Sequence, residues 1–204
     1  MMLNVLSQRS FALLPDKKGM RDHPDTVDDL FRLAIRFAQR CPHKFFCEPV
    51  CATLFEGAIH GLELDHSDAN KSVSKFIGET IDIVKRKKNG NLSMHLQQYT
   101  SQLVGAEQLV LKYGDQVVWH SINAALFHLS HPLRREMAEI LFALGQLSKL
   151  KLNEWLNLAI QNLPHDSGLS PTSQQLAAFR DEVLKAEKPH EVMNHIRDLS
   201  KYYF

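Results

Sequence analysis

Apolar residues recur every three or four positions along almost the whole chain. In residues 25–40 they fall at Val27, Leu30, Phe31, Ala34, Ile35, Phe37 and Ala38. This is the period of one face of an α-helix. Asp25 is the expected cap, Asp28 and Asp29 load the first turn with negative charge, and Arg36 and Arg40 place positive charge near the end. An earlier helix over 3–14 is expected to stop at Pro15, within "PDKKG". A third helix runs to about Leu62 and carries Val50, Leu54, Phe55, Ala58 and Ile59 on one face. A fourth, capped by Ser67 or Asp68, carries Val73, Phe76, Ile77, Ile81 and Val84. It ends at "KRKKNGN", where cations and then glycine form a stop signal.

From Leu92 to Leu129 two interleaved series repeat every seven residues: Leu103, Val110, Val117, Ala124 and Ala106, Tyr113, His120, Phe127. Their register holds across Gly114, which predicts one long helix or two nearly collinear ones. Pro132 suits the first turn of the next helix, which shows Met137, Ile140, Leu141, Leu144 and Leu147. Another stripe covers Leu152, Trp155, Leu156, Ala159, Ile160 and Leu163. After the loop "HDSGLSP", two short helices at 172–187 and 190–202 close the chain.

No segment alternates like a strand. The pattern predicts an all-α fold of about nine or ten helices, with a pitch of roughly 40–50 residues between helix pairs. That is the period of HEAT and armadillo arrays. The expected architecture is a HEAT-like α-solenoid of antiparallel helix pairs over residues 1–204. A closed helical bundle is the rival, because its helices would carry the same stripes.

Composition narrows the function. The 204 residues are 44% hydrophobic and 23% charged, with a net charge of +1. A general nucleic-acid binder would show a basic excess. Cys41, Cys47 and Cys51 are odd in number and crowded into one stretch, which fits a reducing compartment rather than a disulfide framework. The start has no basic segment followed by a sustained apolar run, and no later run approaches the roughly 20 residues of a membrane span.

Candidate chemistry is sparse. No glycine-flanked serine, phosphate-binding glycine loop or zinc-protease motif occurs. Asp65, His66 and Asp68 are expected to cap a turn rather than to form an acid–base cluster. His43, Cys47 and Cys51 have ligand spacing, but Pro42 and Pro49 interrupt any shared helix and no fourth ligand is evident. His120 lies in an apolar seam and reads as a core histidine with a partner. The closing "KYYF" reads as packing. "NKS" and "NLS" fit a glycosylation pattern that a cytosolic chain would not use. Neither catalytic residues, cofactor nor metal is expected. The densest basic run is Lys85, Arg86, Lys87 and Lys88, followed by the pair Arg134 and Arg135. Each is a candidate partner-binding patch, set against the simpler reading of a solvated helix end.

Three stretches say more than periodicity does: "DHPDTVDDLFRLAIRFAQRCP" at 22–42, "LELDHSDANKSVSKFI" at 62–77, and the order "EWLNLAIQNLP" then "HEVMNHIRDLSKYYF" toward the end. Together they resemble the C-terminal part of the transportin-SR family, in the importin-β superfamily of nuclear import receptors. The resemblance is strongest at 22–38 and 62–77 and loose at 85–130. It implies a superhelix of HEAT repeats, of which this chain would be the last few. It also implies serine/arginine-rich splicing factors as cargo, release by Ran-GTP, nucleoporins as further partners, and shuttling between cytoplasm and nucleus. Neither direct nucleic-acid binding nor membrane association is implied. In that family the N-terminal repeats dominate Ran binding, and an arginine-rich helix in a middle repeat reads phosphorylated Arg-Ser cargo. No such helix occurs here; Arg134-Arg135 is the nearest approach. The alternative is a helical interaction scaffold unrelated to transport, and an all-α enzyme is a weaker third reading.

Overall fold

The computed structural model describes residues 2–14, 16–164 and 170–203. Among them there are twelve α-helices and no strand. They are α1 (Met2–Leu13), α2 (Lys17–Asp22), α3 (Pro24–Arg40), α4 (Pro42–Phe45), α5 (Val50–Gly61), α6 (Ser67–Lys88), α7 (Met94–Gln97), α8 (Val104–Asn123), α9 (Arg134–Leu147), α10 (Lys149–Gln161), α11 (Ser173–Lys185) and α12 (Pro189–Ser200). Nine have twelve residues or more, and these are the helices that the apolar stripes predict. The others, α2, α4 and α7, are single turns or little more, too short to show a period.

Local chemistry explains the boundaries and corrects some of those expected. Residues 17–22 are helical rather than part of a break, because the Asp16 carboxylate accepts a hydrogen bond from the Gly19 N–H at 2.8 Å. In α3 the N-cap is His23, Pro24 takes the first turn, and Asp25 lies inside the helix instead of capping it. Proline fits there because its missing N–H would have no partner anyway. At α6 the cap is His66, whose Nδ1 accepts from the Ala69 N–H at 3.4 Å, rather than Ser67 or Asp68. Gly90, with φ of +69°, ends that helix as expected.

The tract 92–129 is not one long helix. It begins with the short α7 and a 3₁₀ turn at Thr100–Leu103, becomes α8, and ends in a π-helical turn at Ala124–His128. The heptad register is real from Leu103 onward, where Leu103, Val110, Val117 and Ala124 are all buried. Gly114 lies inside α8, where the indole of Trp155 packs directly against its backbone. A Cβ there would sit 2.3 Å from the ring.

The long helices form two layers. In the first, α3, α6 and α9 run parallel: Asp28 on α3 accepts from the Ser72 hydroxyl on α6, Gln39 reaches Glu79 at 2.6 Å, and Lys85 reaches Gln146 on α9 at 3.2 Å. The second holds α5, α8 and α10, also parallel to one another, with Glu56 meeting Tyr113, Glu63 meeting His120 and Gly114 meeting Trp155. Each helix of one layer packs on partners in the other, as in stacked helix pairs. The core between them is aromatic at one end, where Phe31, Phe45 and Phe55 surround Phe76 at 5.6, 6.1 and 6.3 Å. The greasy stripe of α3 therefore packs mainly on α6, a helix that is not its neighbour in sequence.

The stacking direction changes at α12. Ser200 at its end meets Arg134 at the start of α9, and Tyr203 packs edge-on against Phe127 at 5.1 Å. Thus α12 lies antiparallel to α9 where α6 lies parallel to it. Helices α9, α10, α11 and α12 each pack on the next, and α12 returns to α9, closing an up-and-down ring.

Candidate interaction surface

The basic run Lys85–Lys88 forms the last turn of α6, where cations suit the helix dipole. Its side chains are engaged. Lys85 donates to Gln146, Arg86 pairs with Asp82, Lys87 pairs with Glu107 at 2.8 Å, and Lys88 donates to the Leu147 carbonyl at 2.8 Å. The run thus ties the end of α6 to the end of α9 and the start of α8. It remains hydrated, since Arg86 and Lys88 are exposed.

Arg134 and Arg135 start α9, so the structure does not bring them to the lysine run. They lie at the opposite end of a helix about 20 Å long at 1.5 Å per residue. Arg134 is half-buried, donates to Ser200 at 3.4 Å and has a buried Nε without a hydrogen-bond partner. Arg135 is exposed and pairs with Glu139 one turn on, at 2.9 Å.

Beside the lysine run a groove of about 380 Å³ opens between the C-terminal ends of α6 and α9 and the N-terminal halves of α8 and α10. Val84, Val110, Leu144, Leu147 and Trp155 line it, and Lys87, Lys88 and Lys151 stand around it. Leu111 forms part of its wall and is 55% exposed. The periodicity offered a signal for this feature, because Leu111 falls outside both heptad series of α8. Leu150, 70% exposed, likewise falls outside the stripe of α10.

A second feature that the sequence reading missed is a polar cluster between α2, α5 and α8. Glu63 is buried, and one carboxylate oxygen accepts from His120 Nδ1 at 2.6 Å and from Asn123 at 3.3 Å. The other accepts from Lys17 Nζ at 2.6 Å. Burial by itself would raise the Glu63 pKa. The hydrogen bonds from His120 and Lys17, together with their charges, outweigh it and bring the value down to about 2. His120 is thus a core histidine with a partner, as its place in the seam predicts. The cluster joins α2, the turn after α5 and α8, because Lys17, Glu63 and His120 come from those three places.

The cysteine stretch holds no ligand geometry. Cys47 Sγ donates to the His43 carbonyl at 3.2 Å, the His43 ring stacks on Tyr99 at 4.1 Å, and Cys51 is buried with its thiol pushed up to about 12. Among the described residues no group of three metal-ligating side chains converges. Asp65 serves as an anchor, accepting from both the N–H and the hydroxyl of Ser130. No helix among the described residues is long and apolar enough to cross a membrane.

Parallel stacks of helix pairs in two layers define a HEAT-like α-solenoid. The solved structure of importin-13 in its cytosolic state has the same fold, with a TM-score of 0.76 over 96% of this chain and 21% of that one, at 14% identity. In sequence the chain is 30% identical over 199 residues to transportin MOS14 of Arabidopsis thaliana, covering 98% of this chain and 20% of that protein. It is 25% identical over 178 residues to human importin-13, covering 86% of this chain and 17% of the relative. Both relatives are importin-β-family proteins, and the chain spans about a fifth of their length. No protein-family model matches it.

Proposed function

We propose that this chain is a HEAT-repeat segment of an importin-β-family nuclear import receptor of the transportin-SR kind, with residues 1–204 forming a single solenoid segment. The observation that carries this reading is the similarity to a transportin over 98% of the chain. The two-layer solenoid supports it, because such arrays bind partners through surfaces that extend over many repeats. The whole receptor carries phosphorylated Arg-Ser-rich splicing factors into the nucleus, releases them on binding Ran-GTP, contacts nucleoporins and shuttles between the two compartments. The segment contributes binding surface rather than catalysis, with Lys85–Lys88 and Arg134–Arg135 as its cationic contacts.

The test is a pull-down with a phosphorylated Arg-Ser protein, with and without Ran-GTP, comparing the 204-residue chain with its full-length receptor. The full-length protein should bind and release on Ran-GTP, while the short chain should bind weakly and without Ran dependence. Tight, Ran-sensitive binding by the short chain would make it a self-sufficient receptor. Absence of binding by both would favour a helical scaffold outside nuclear transport.

A further inference from the structure

The groove beside the lysine run has a composition that selects a ligand. Its floor is aliphatic, built by Val84, Val110, Leu144 and Leu147, with Trp155 contributing one buried ring. Around it stand three lysines: Lys87 pairs with Glu107 at 2.8 Å, Lys151 pairs with Glu154 at 2.7 Å in a solvent-exposed pair that a partner's carboxylate can replace, and Lys88 has no carboxylate partner. This excess sits on a protein whose net charge is only +1, so it is a local patch rather than a general property. Lys88 spends its ammonium on a carbonyl, which leaves its charge uncompensated. Lys149, beside Ser148 in the chain, is exposed. The N-terminus of α10 also opens here: Ser148 lines the groove and caps the helix through Lys151 N–H. Its dipole adds positive potential, opposed by the C-terminal ends of α6 and α9, so the lysines carry the local excess. Leu111, exposed in the wall, is an apolar side chain that a partner would cover.

We propose that this groove docks an acidic peptide segment of a partner protein, with one or two aliphatic side chains on the floor and carboxylates toward Lys88 and Lys151. Charge complementarity argues for the acidic character, and the aliphatic floor argues for leucine-like anchors. A single-stranded nucleic acid fits less well, because it needs accessible aromatic platforms and the one indole here is buried. The proposal deepens the binding role of the Lys85–Lys88 end of the molecule, yet it stands apart from the transport reading. Peptide binding without Ran-sensitive cargo binding would remove only the latter.

The experiment is a fluorescence-anisotropy titration of the whole chain with a fluorescein-labelled peptide of leucines flanked by glutamates. Saturable binding is expected, and Leu111→Glu on α8 and Lys151→Glu on α10 should each weaken it about tenfold. Replacing the peptide's leucines with serine, or its glutamates with lysine, should abolish it. Leu111 is exposed and Lys151 half-buried at the surface, so the helical signal should stay intact. Should Leu111→Glu fail to fold, Lys151→Glu decides alone. No saturable binding, wild-type affinity in both variants, or equal competition by a polyuridine of matched charge would overturn the proposal.

Discussion

Between α3 and α6 the rings of Phe31 and Phe76 meet at 5.6 Å, wholly shielded from solvent. Between α5 and α8, helices stacked in the same parallel sense, a carboxylate and an imidazole meet at 2.6 Å, with an ammonium group on the other side. The first contact draws on removal of apolar surface from water and is indifferent to pH. The second must compensate the desolvation of Glu63 with directed hydrogen bonds, so it holds only while that group is ionised. Layers that look alike as backbone thus differ in what can disrupt them.

The largest effect belongs to the apolar contact. Phe31→Ala should cost about 3–5 kcal/mol, since the ring is fully buried and its neighbours close only partly over the void. Urea denaturation followed by circular dichroism measures this, and an unchanged midpoint would show that the α3 stripe is not held as described.

Next comes the polar contact. Glu63→Gln should cost about 2–3 kcal/mol at neutral pH, because the charge that organises Lys17 and His120 is lost. With a folded pKa of about 2 against an ordinary 4.5, Glu63 stabilises the fold fully above the ordinary value. That contribution disappears as pH falls from about 4.5 toward 2. The wild-type should therefore lose stability over that window, and the variant should lose less. Parallel acid limbs for the two proteins would remove the charge from the explanation.

A smaller effect tests the close approach of α8 and α10. Gly114→Ala improves helix propensity by about 1 kcal/mol but drives a methyl group into the Trp155 ring, for a net loss of about 1–2 kcal/mol. A thermal melt shifted upward instead would mean that the indole moves aside freely. Smallest of all, Arg135→Ala should leave the denaturation midpoint unchanged, because its pair with Glu139 is exposed on one helix face.

The basic candidates show where reading the chain stops. That Lys85–Lys88 would end a helix was legible, since cations followed by glycine signal it locally. That Lys88 would reach the Leu147 carbonyl, and that Arg134 would face Ser200 at the far end of α9, was not. Partners so far apart in sequence are juxtaposed only by helix packing. The Glu63 cluster was hidden for the same reason: Lys17, Glu63 and His120 lie on three elements and share no spacing.

What the sequence determined by itself was the set of long helices, because the 3.6-residue period of buried positions is written within each segment. Caps near prolines and short turns shifted by a residue or two, as competing local hydrogen bonds decide them. Only the tertiary structure decided that α3 would lie on α6 rather than on its neighbours, that α12 would reverse direction against α9, and that a basic-rimmed groove would open at the end of α6. An amphipathic stripe specifies that a face must be covered. Which helix covers it depends on the complementary shape and charge of a surface assembled from distant parts of the chain.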